Sequence, residues 1–430
     1  MITILKNATL LPEYGYAGSP VHVIVKNNKI AEITERLPER FRADEVIDCA
    51  GDLLIPAFYN AHCHAAMTLF RGYGEDLPLQ RWLEERIFPA EDKLTFRSVY
   101  HATMLAIAEM LRGGIACFSD MYMFEDAVAE AVLATGIKAN LSRSIVSFDP
   151  DADIAKENRM IEALRLAEWY HGADDDRILV DFSLHAEYTN VPKACSYVAE
   201  VASRFGTGMQ IHLSETEKEH HECIGRWGKT PTEFFRDTGV LELPTCAAHG
   251  VWLTDSDIAI LAEKKASVIH NPVSNLKLGS GVMPLRKLLD AGVNVALGTD
   301  GAASNNRLDM LRELQVASLI HKGVHRDPTI VTSRELFAIA TRGGALAQRR
   351  TDCGRVEVGC RADLVLLNRN SLHNLPTFDE YAMLSYSAET SDVRMTMVDG
   401  RILYKNGEYT SIDEERLRYE CRETFAHYFD

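Results

Sequence analysis

The sequence of 430 residues predicts an α/β fold, a distorted TIM-type (β/α)8 barrel with a small β-sandwich attached. From Leu53 onward, short apolar runs alternate with longer amphipathic stretches, which is the pattern of repeated βα units around a parallel sheet. Strand-like runs without a helical period stand at both ends of the chain. Histidines and acidic residues follow several of the central runs, where the carboxyl ends of barrel strands place functional side chains.

Eight barrel strands are expected, each ending just before a polar or glycine-containing loop. The apolar runs place these ends near Tyr59, Asp120, Val146, Leu184, Ile211, Ala248, Ile269 and Leu297. Several neighbouring stretches have apolar residues at helical spacing, namely 99–112, 155–170, 191–205 and 310–321. Eight such units close a barrel, which is expected to span residues 54–355.

The two ends of the chain are expected to build one β-sandwich together. Near the start, the apolar run Val21–Val25 precedes the polar turn Lys26–Asn28. Near the end, Asp399 and Gly400 lie between two alternating runs, which predicts a tight hairpin. The expected division is a sandwich from 1–53 and 356–410, followed by a C-terminal helix over 411–430.

Composition narrows the class of partner. The net charge of −16 argues against binding to nucleic acids or anionic membranes, since both select for clustered Lys and Arg. No secretory signal is visible in the first residues, and no apolar stretch reaches the roughly 20 residues that cross a bilayer. The nine cysteines form no C-x-x-C pair. We expect a cytoplasmic enzyme with reduced thiols, acting on a small molecule, and leave homo-oligomer formation open.

Three histidines and one aspartate are candidate ligands for a divalent metal ion. His62 and His64 lie two residues apart at a predicted strand end, so their rings face the same side, whereas on a helix they would point about 200° apart. His212 and Asp300 each follow another predicted strand. Asp300 could instead cap the next helix, and an isolated His-x-His pair could be structural. Their combination favours a metal site. A site with two ions would need a bridging acid or a modified lysine after the strand ending at Leu184. Because His185 stands there, a single ion such as zinc is favoured.

A site of this composition can perform hydrolysis. Three neutral imidazoles and one carboxylate leave a net positive centre, which lowers the pKa of bound water to about 7. Glu215, three residues after His212, could move a proton between water and substrate, or could be a surface acid in an acidic run. His249 and His185 each follow a strand and could contact water or substrate, or could be structural. The role of His270 is left open.

Four segments resemble the amidohydrolase superfamily, and more narrowly its branch of methylthioadenosine and S-adenosylhomocysteine deaminases. They are PAFYNAHCHAAMTLFRG (56–72), HLSE (212–215), HNPVSNLKLG (270–279) and GTDGAASNN (298–306). The resemblance covers nearly the whole chain, including GCRADLV at 359–365. It is highly specific for the superfamily and less so for the substrate.

The resemblance implies a hydrolytic deaminase with one zinc or iron ion. The ion would be held by His62, His64, His212 and Asp300. Glu215 would protonate the ring nitrogen beside the attacked carbon, while His249 and Asp300 would take the proton from water. The implied substrate contacts are Trp82, Glu91 (for the ribose hydroxyls), Arg143, His185 and Glu215.

Departures from the branch predict a preference among substrates. A further arginine is expected about a dozen residues beyond Arg143, yet only Lys156 lies there, and lysine lacks the bidentate fork of arginine. Glu187 stands where a small residue or proline is usual, and Trp252 replaces a polar residue. We therefore expect smaller or uncharged 5′-substituted adenosines to be preferred over S-adenosylhomocysteine.

Three alternatives share much of this pattern. A deaminase of guanine, cytosine or a pterin would use the same catalytic residues, because specificity resides in loops. A triazine chlorohydrolase is similar in sequence, although Glu215 suits an amine leaving group better. A metal-stabilised binding protein without catalysis would not need Glu215 or His249 beside the ligands.

Overall fold

The computed structural model describes residues 1–16, 20–37, 42–426 and 428. Parts of the predicted sandwich module and of the predicted C-terminal helix, at 17–19, 38–41, 427, 429 and 430, lie outside these residues. The strands are β1 (Ile2–Ala8), β2 (Val21–Lys26), β3 (Lys29–Thr34), β4 (Glu45–Asp48), β5 (Leu53–Pro56), β6 (Phe58–Cys63), β7 (Ile115–Tyr122), β8 (Lys138–Ile145), β9 (Ile178–Val180), β10 (Phe182–Leu184), β11 (Met209–Leu213), β12 (Thr245–His249), β13 (Ser267–His270), β14 (Asn294–Leu297), β15 (Leu364–Leu367), β16 (Val393–Val398), β17 (Arg401–Lys405) and β18 (Glu408–Tyr409).

The helices surround the central strands and follow them in sequence. They are α1 (Leu79–Trp82), α2 (Phe88–Glu91), α3 (Phe96–Arg112), α4 (Glu125–Thr135), α5 (Asn158–Tyr170), α6 (Ala173–Asp176), α7 (Pro192–Phe205), α8 (Glu217–Trp227), α9 (Pro231–Asp237), α10 (Asp255–Lys264), α11 (Pro272–Lys277), α12 (Leu285–Asp290), α13 (Ala302–Asn305), α14 (Met310–His325), α15 (Ser333–Ala338), α16 (Gly344–Ala347), α17 (Glu380–Tyr386) and α18 (Glu414–Ala426). Among the described residues, no helix has both the length and the apolar content required to span a bilayer.

Eight parallel strands form a nearly closed barrel, as predicted. Their order around the sheet is β6, β7, β8, β10, β11, β12, β13 and β14. Each expected strand end lies in or next to one of them. The strands are lined by buried apolar residues, which continue into the layer of helices outside. The predicted fold class is therefore confirmed.

The seam between the first and last barrel strands is closed by hydrogen bonds of the Asn60 side chain and of one backbone amide. Among the described residues, no strand ladder joins β6 to β14. Instead the Asn60 amide donates to Thr299 Oγ1 at 2.7 Å, and its Oδ1 accepts from the Thr299 backbone N–H at 2.9 Å. The Asp300 N–H donates to the His62 carbonyl at 3.0 Å. This seam brings Asp300 beside His62.

The sandwich consists of two antiparallel-rich sheets packed on a shared apolar core. One sheet has the order β3, β2, β1, β4 and the other β18, β17, β16, β15, β5. Residues 54–56, predicted to begin the barrel, belong instead to the second sheet, where β5 pairs with β15. The change falls between Ala57, which donates to the Asp363 carbonyl, and Phe58, which donates to the Gly114 carbonyl. A continuous apolar run cannot reveal such a change of partner.

A buried ion cluster joins the amino-terminal end of the barrel to the second sheet. The Lys138 ammonium, at the start of β8, lies 2.6 Å from Asp363 Oδ2 and 2.7 Å from Asp399 Oδ1. All three side chains are buried. Burial alone would raise the pKa of Asp363, but the Lys138 ammonium holds it below its ordinary value. The cluster lies at the opposite end of the barrel from the histidines.

Candidate active site

Four predicted ligands converge at the carboxyl ends of the barrel strands. His62 lies in β6 and His64 directly after it, His212 lies in β11, and Asp300 lies in the loop after β14. Asp300 Oδ1 lies 3.6 Å from His62 Nε2 and 3.3 Å from His64 Nε2, while the Nε2 atoms of His64 and His212 are 3.4 Å apart. Bonds of about 2.0 Å in a tetrahedron separate ligand atoms by about 3.3 Å, so each of these three distances is compatible with two ligands of one ion.

Backbone carbonyls fix the orientation of two of these rings. His64 Nδ1 lies 2.7 Å from the Met121 carbonyl and His212 Nδ1 lies 2.6 Å from the His185 carbonyl, which assigns the proton to Nδ1 in both rings. Their Nε2 atoms are therefore lone-pair donors toward the centre. Such outer hydrogen bonds are typical of metal-binding histidines.

The electrostatics of the cluster favour a bound cation. Burial lowers the pKa of His62 to about 4 and lowers the pKa values of His64 and His212, so all three rings are neutral at pH 7. While these rings are neutral, none of them gives the buried Asp300 carboxylate a cationic partner. His62 Nε2 is buried without a hydrogen-bond partner. An ion would satisfy that atom, so the residues fit a divalent metal.

Small residues and hydroxyl groups hold Asp300 in an unusual backbone conformation. Its φ is +58°, and its Oδ2 accepts hydrogen bonds from Ser274 at 2.6 Å and Ser304 at 2.9 Å. Gly298 lies two residues before Asp300 and is so closely packed that an added Cβ would lie 2.9 Å from the Cβ of His62. The sequence GTDG therefore lets the loop approach β6, which explains why glycine stands there.

Glu215 and His249 lie together beside the ligands. His249 Nε2 is 3.8 Å from Glu215 Oε2, and its Nδ1 lies 2.8 Å from Asn275 Oδ1. Ser280 donates to Glu215 Oε1 at 3.2 Å. Burial raises the pKa of Glu215, which favours the protonated form of its carboxyl group. Burial opposes protonation of His249, but the Glu215 and Asp300 carboxylates raise its pKa overall.

A cavity of about 320 Å³ opens in front of this cluster. That volume is in the range of pockets for small molecules. Among its lining residues are all five predicted substrate contacts, Trp82, Glu91, Arg143, His185 and Glu215. The remaining wall is largely apolar, with Phe88 and Phe148 partly exposed at the surface.

Two of the lining residues are held by neighbours. Glu91 is buried and accepts a hydrogen bond from the Tyr122 hydroxyl at 2.6 Å, and burial raises its pKa to about 7. Arg143 Nε donates to Glu162 at 2.6 Å, so its charge is already compensated. Glu91 therefore presents a fixed carboxyl group, which can form hydrogen bonds with hydroxyl groups of a substrate.

The structure removes two premises of the predicted substrate preference. Glu187 does not face the cavity, because its buried carboxylate pairs with the Arg226 guanidinium at 2.5 Å. Arg159 lines the cavity although sequence reasoning missed it. It lies sixteen residues beyond Arg143, in the first turn of α5, and so beyond the position expected to hold the arginine. Trp252 donates to the Ser280 carbonyl at 2.9 Å and so supports the partner of Glu215.

His270 is not part of the ligand set. Its Nε2 lies 3.0 Å from His321 Nε2 on α14, and His270 belongs to neither of the two groups of described side chains that could hold a metal ion. Those groups are His62 with His64 and Asp300, and His62 with His212 and His249. A strand-end histidine is thus not sufficient for ligation, since the ring must also point into the barrel mouth.

A family comparison agrees with this geometry. Residues 53–403 match the model of the amidohydrolase family. The chain belongs to that family. The match spans the barrel and the second sheet of the sandwich, from the start of β5 into β17.

Similar proteins are named for closely related reactions. The chain of this amidohydrolase is 41% identical over 418 residues to a 5-methylthioadenosine/S-adenosylhomocysteine deaminase of Moorella thermoacetica, covering 96% of each chain. It is 41% identical over 425 residues to a 5′-deoxyadenosine deaminase of Methanosarcina acetivorans, covering 97% of this chain and 96% of that one. A solved adenosine deaminase of Xanthomonas campestris with bound zinc superposes with a TM-score of 0.92 at 31% identity, covering 99% and 98% of the two chains.

Proposed function

We propose that this amidohydrolase hydrolyses the 6-amino group of a 5′-modified adenosine, giving the inosine analogue and ammonia. The observation that carries the proposal is the position of Glu215 and His249 beside three neutral imidazoles and Asp300, at the wall of one cavity. The names of the relatives support the same reaction class, a hydrolase acting on C–N bonds of cyclic amidines.

The residues of the chain divide the proton transfers among themselves. We assign one zinc ion to His62, His64, His212 and Asp300, with iron as the alternative that these ligands also accept. When bound, the ion supplies Lewis-acid chemistry that makes a water molecule acidic near neutral pH. The two protons of the attacking water pass to His249 and Asp300. Glu215 donates its own proton to N1 of the adenine ring, regains one from His249, which lies 3.8 Å away, and donates that proton to the departing amine. The proton held by Asp300 then restores Glu215.

The cavity wall binds the rest of the nucleoside. Glu91, fixed by Tyr122, accepts hydrogen bonds from the ribose hydroxyls, and His185 contacts the substrate next to His212. Trp82 and Arg143 contribute to the same wall. Arg159 provides a cation for a polar or anionic 5′ substituent, while Phe148 offers an apolar surface. The expected preference against S-adenosylhomocysteine therefore loses its main basis.

The alternatives differ in what they require of the site. Deaminases of guanine, cytosine or pterins and triazine chlorohydrolases do not require a carboxylate such as Glu91 for ribose hydroxyls. A binding protein without catalysis does not require a raised pKa at Glu215. Relatives named for nucleoside deamination at 41% identity favour the nucleoside. Homo-oligomer formation and a cytoplasmic location remain predictions from the sequence.

The test is ammonia release from a panel of substrates with the metal quantified in the same preparation. The panel contains 5′-deoxyadenosine, 5′-methylthioadenosine, S-adenosylhomocysteine, adenosine, guanine, cytosine, a pterin and a triazine. We expect turnover of the 5′-substituted adenosines above all others. Highest turnover of a free base or a triazine would refute the proposal.

Two variants test the assigned roles. Glu215→Gln should keep its metal and lose roughly 10²-fold or more in kcat, since it removes a general acid. His212→Ala should lose the metal itself, as elemental analysis would detect. The matched control is Glu217→Gln, an exposed glutamate two residues along, which should keep both metal and activity. Near-normal turnover in Glu215→Gln would rule out its role.

A further inference from the structure

A second glutamate, Glu219, holds the backbone around Glu215. Glu219 lies in the first turn of α8 and is 6% exposed. Its Oε2 accepts hydrogen bonds from the backbone N–H of Glu215 at 2.7 Å and of Thr216 at 3.4 Å. Its Oε1 accepts from the Ser214 N–H at 2.9 Å. One buried carboxylate thus binds three consecutive amides, and the middle one belongs to the proposed acid.

This arrangement exceeds the needs of an ordinary helix cap. In a capping box, the glutamate at the third helical position accepts only from the backbone N–H of the N-cap residue. The N-cap here is Thr216, and its contact with Glu219 is the longest of the three. The two shorter contacts reach residues that precede the helix. The carboxylate is therefore directed at the segment carrying Glu215.

The segment bound by Glu219 is strained and connected to the other half of the site. Ser214 has a φ of +46°, in the left-handed region that is unfavourable for a residue with a Cβ. Its carbonyl accepts from Val251 at 3.1 Å and Trp252 at 2.9 Å, which follow His249. Such a conformation persists only where surrounding contacts fix it. Glu219 supplies three of these contacts at one point.

We propose that Glu219 is a positioning residue, which fixes the backbone from Ser214 to Thr216 so that the Glu215 carboxyl stays beside His249 and the substrate ring. The proposal rests on the function proposed above for Glu215. Glu219 has no atom in the cavity lining, so it acts through Glu215 and does not touch the substrate.

A matched glutamate elsewhere distinguishes positioning from helix capping. Glu233 occupies the same third position of α9, where its Oε2 accepts from the Thr230 N–H at 2.9 Å. It is not among the cavity-lining residues. Glu233→Gln therefore makes the same chemical change in a capping box that is separate from the site.

The experiment is a double-mutant cycle between Glu219→Gln and Glu215→Gln, with kcat, KM, bound metal and Tm measured for each variant. Glutamine keeps the size of the side chain, but its NH2 faces an amide N–H that needs an acceptor. We expect Glu219→Gln to lower kcat about 10- to 100-fold, because small misplacements of a reacting group have effects of that size. KM and metal content should stay within twofold of the unmodified enzyme.

In the Glu215→Gln background, the same change should lower kcat by less than twofold, because the group being positioned is already absent. Glu233→Gln should leave kcat unchanged. An equal loss from Glu219→Gln in both backgrounds would overturn the inference, as would a loss of bound metal. Should Glu219→Gln fail to fold, Glu219→Asp takes its place in the cycle, and failure of both overturns the inference. Absence of ammonia release by the unmodified enzyme, or full activity of Glu215→Gln, would refute the proposed function itself.

Discussion

Replacing Arg159 should separate the substrates of this amidohydrolase by charge. Arg159 is partly buried in the cavity wall, and no carboxylate of the described residues lies within ion-pair distance of its guanidinium. The neighbouring Arg143, in contrast, is paired with Glu162 at 2.6 Å. Arg159 is therefore the cation that remains available to a substrate carboxylate. Arg159→Leu removes that charge and keeps an apolar side chain in place.

The size of the effect follows from the environment of Arg159. A hydrogen bond to a charged group contributes about 1.5–3 kcal/mol. Because Arg159 is partly exposed, solvent screens the interaction, and the lower half of that range, about 1.5–2 kcal/mol, applies. Each 1.4 kcal/mol corresponds to tenfold, so kcat/KM for S-adenosylhomocysteine should fall about 10- to 30-fold. The value for 5′-deoxyadenosine, which lacks the carboxylate, should change less than threefold.

The assay measures ammonia release from both nucleosides with the same enzyme preparation. Arg165→Leu is the control, because Arg165 lies on the same helix, is exposed and packs over the Trp169 ring. It should leave both kcat/KM values unchanged. An equal fall for both nucleosides in Arg159→Leu would mean that the residue supports the fold of the wall. No fall for S-adenosylhomocysteine would mean that its carboxylate binds elsewhere, and the reasoning would be refuted.

Two further predictions concern stability. Lys138→Met leaves Asp363 buried without its ammonium partner and should lower the free energy of unfolding by about 3–5 kcal/mol. For a chain of this length, that loss lowers Tm by about 3–5 °C. The control Lys156→Met, at an exposed ion pair, should leave Tm unchanged. The pKa of His373 is raised because Asp392 accepts a hydrogen bond from its ring. The contribution of this pair to the stability of the fold is therefore complete below pH 6.5, and it is lost as pH rises through the pKa of His373 in the folded state. His373→Gln should therefore lower Tm at pH 6 and have less effect at pH 9, and an equal effect at both would contradict this assignment.

The barrel and the convergence of the candidate ligands at its mouth could be predicted, because both depend on short-range sequence patterns. A run such as Val295–Leu297 followed by Gly298 and Asp300 directly predicts a strand end that carries a functional residue. The placement of His62 and His64 on one side follows from the period of two along a strand. These features need no knowledge of distant contacts, apart from the assumption that the strands close into one barrel.

Features that depend on loop geometry could not be predicted in the same way. Arg159 lines the cavity from the start of α5, whereas a fixed spacing from Arg143 pointed to Lys156. Glu187 looked available to the substrate until the structure showed its partner Arg226, thirty-nine residues away. Glu219 lies in the same acidic run as Glu215, and the sequence does not indicate that its carboxylate turns back onto three amides.

The seam between β6 and β14 also affects how firmly the barrel is closed. His62 and His64 stand on one side of that seam and Asp300 on the other, so an ion held by all three would fasten the two terminal strands together. Chelation should then loosen this joint selectively, with faster amide exchange in Phe58–Cys63 and Asn294–Leu297 than in the opposite strands. The cation would therefore stabilise the closed barrel in addition to taking part in the reaction.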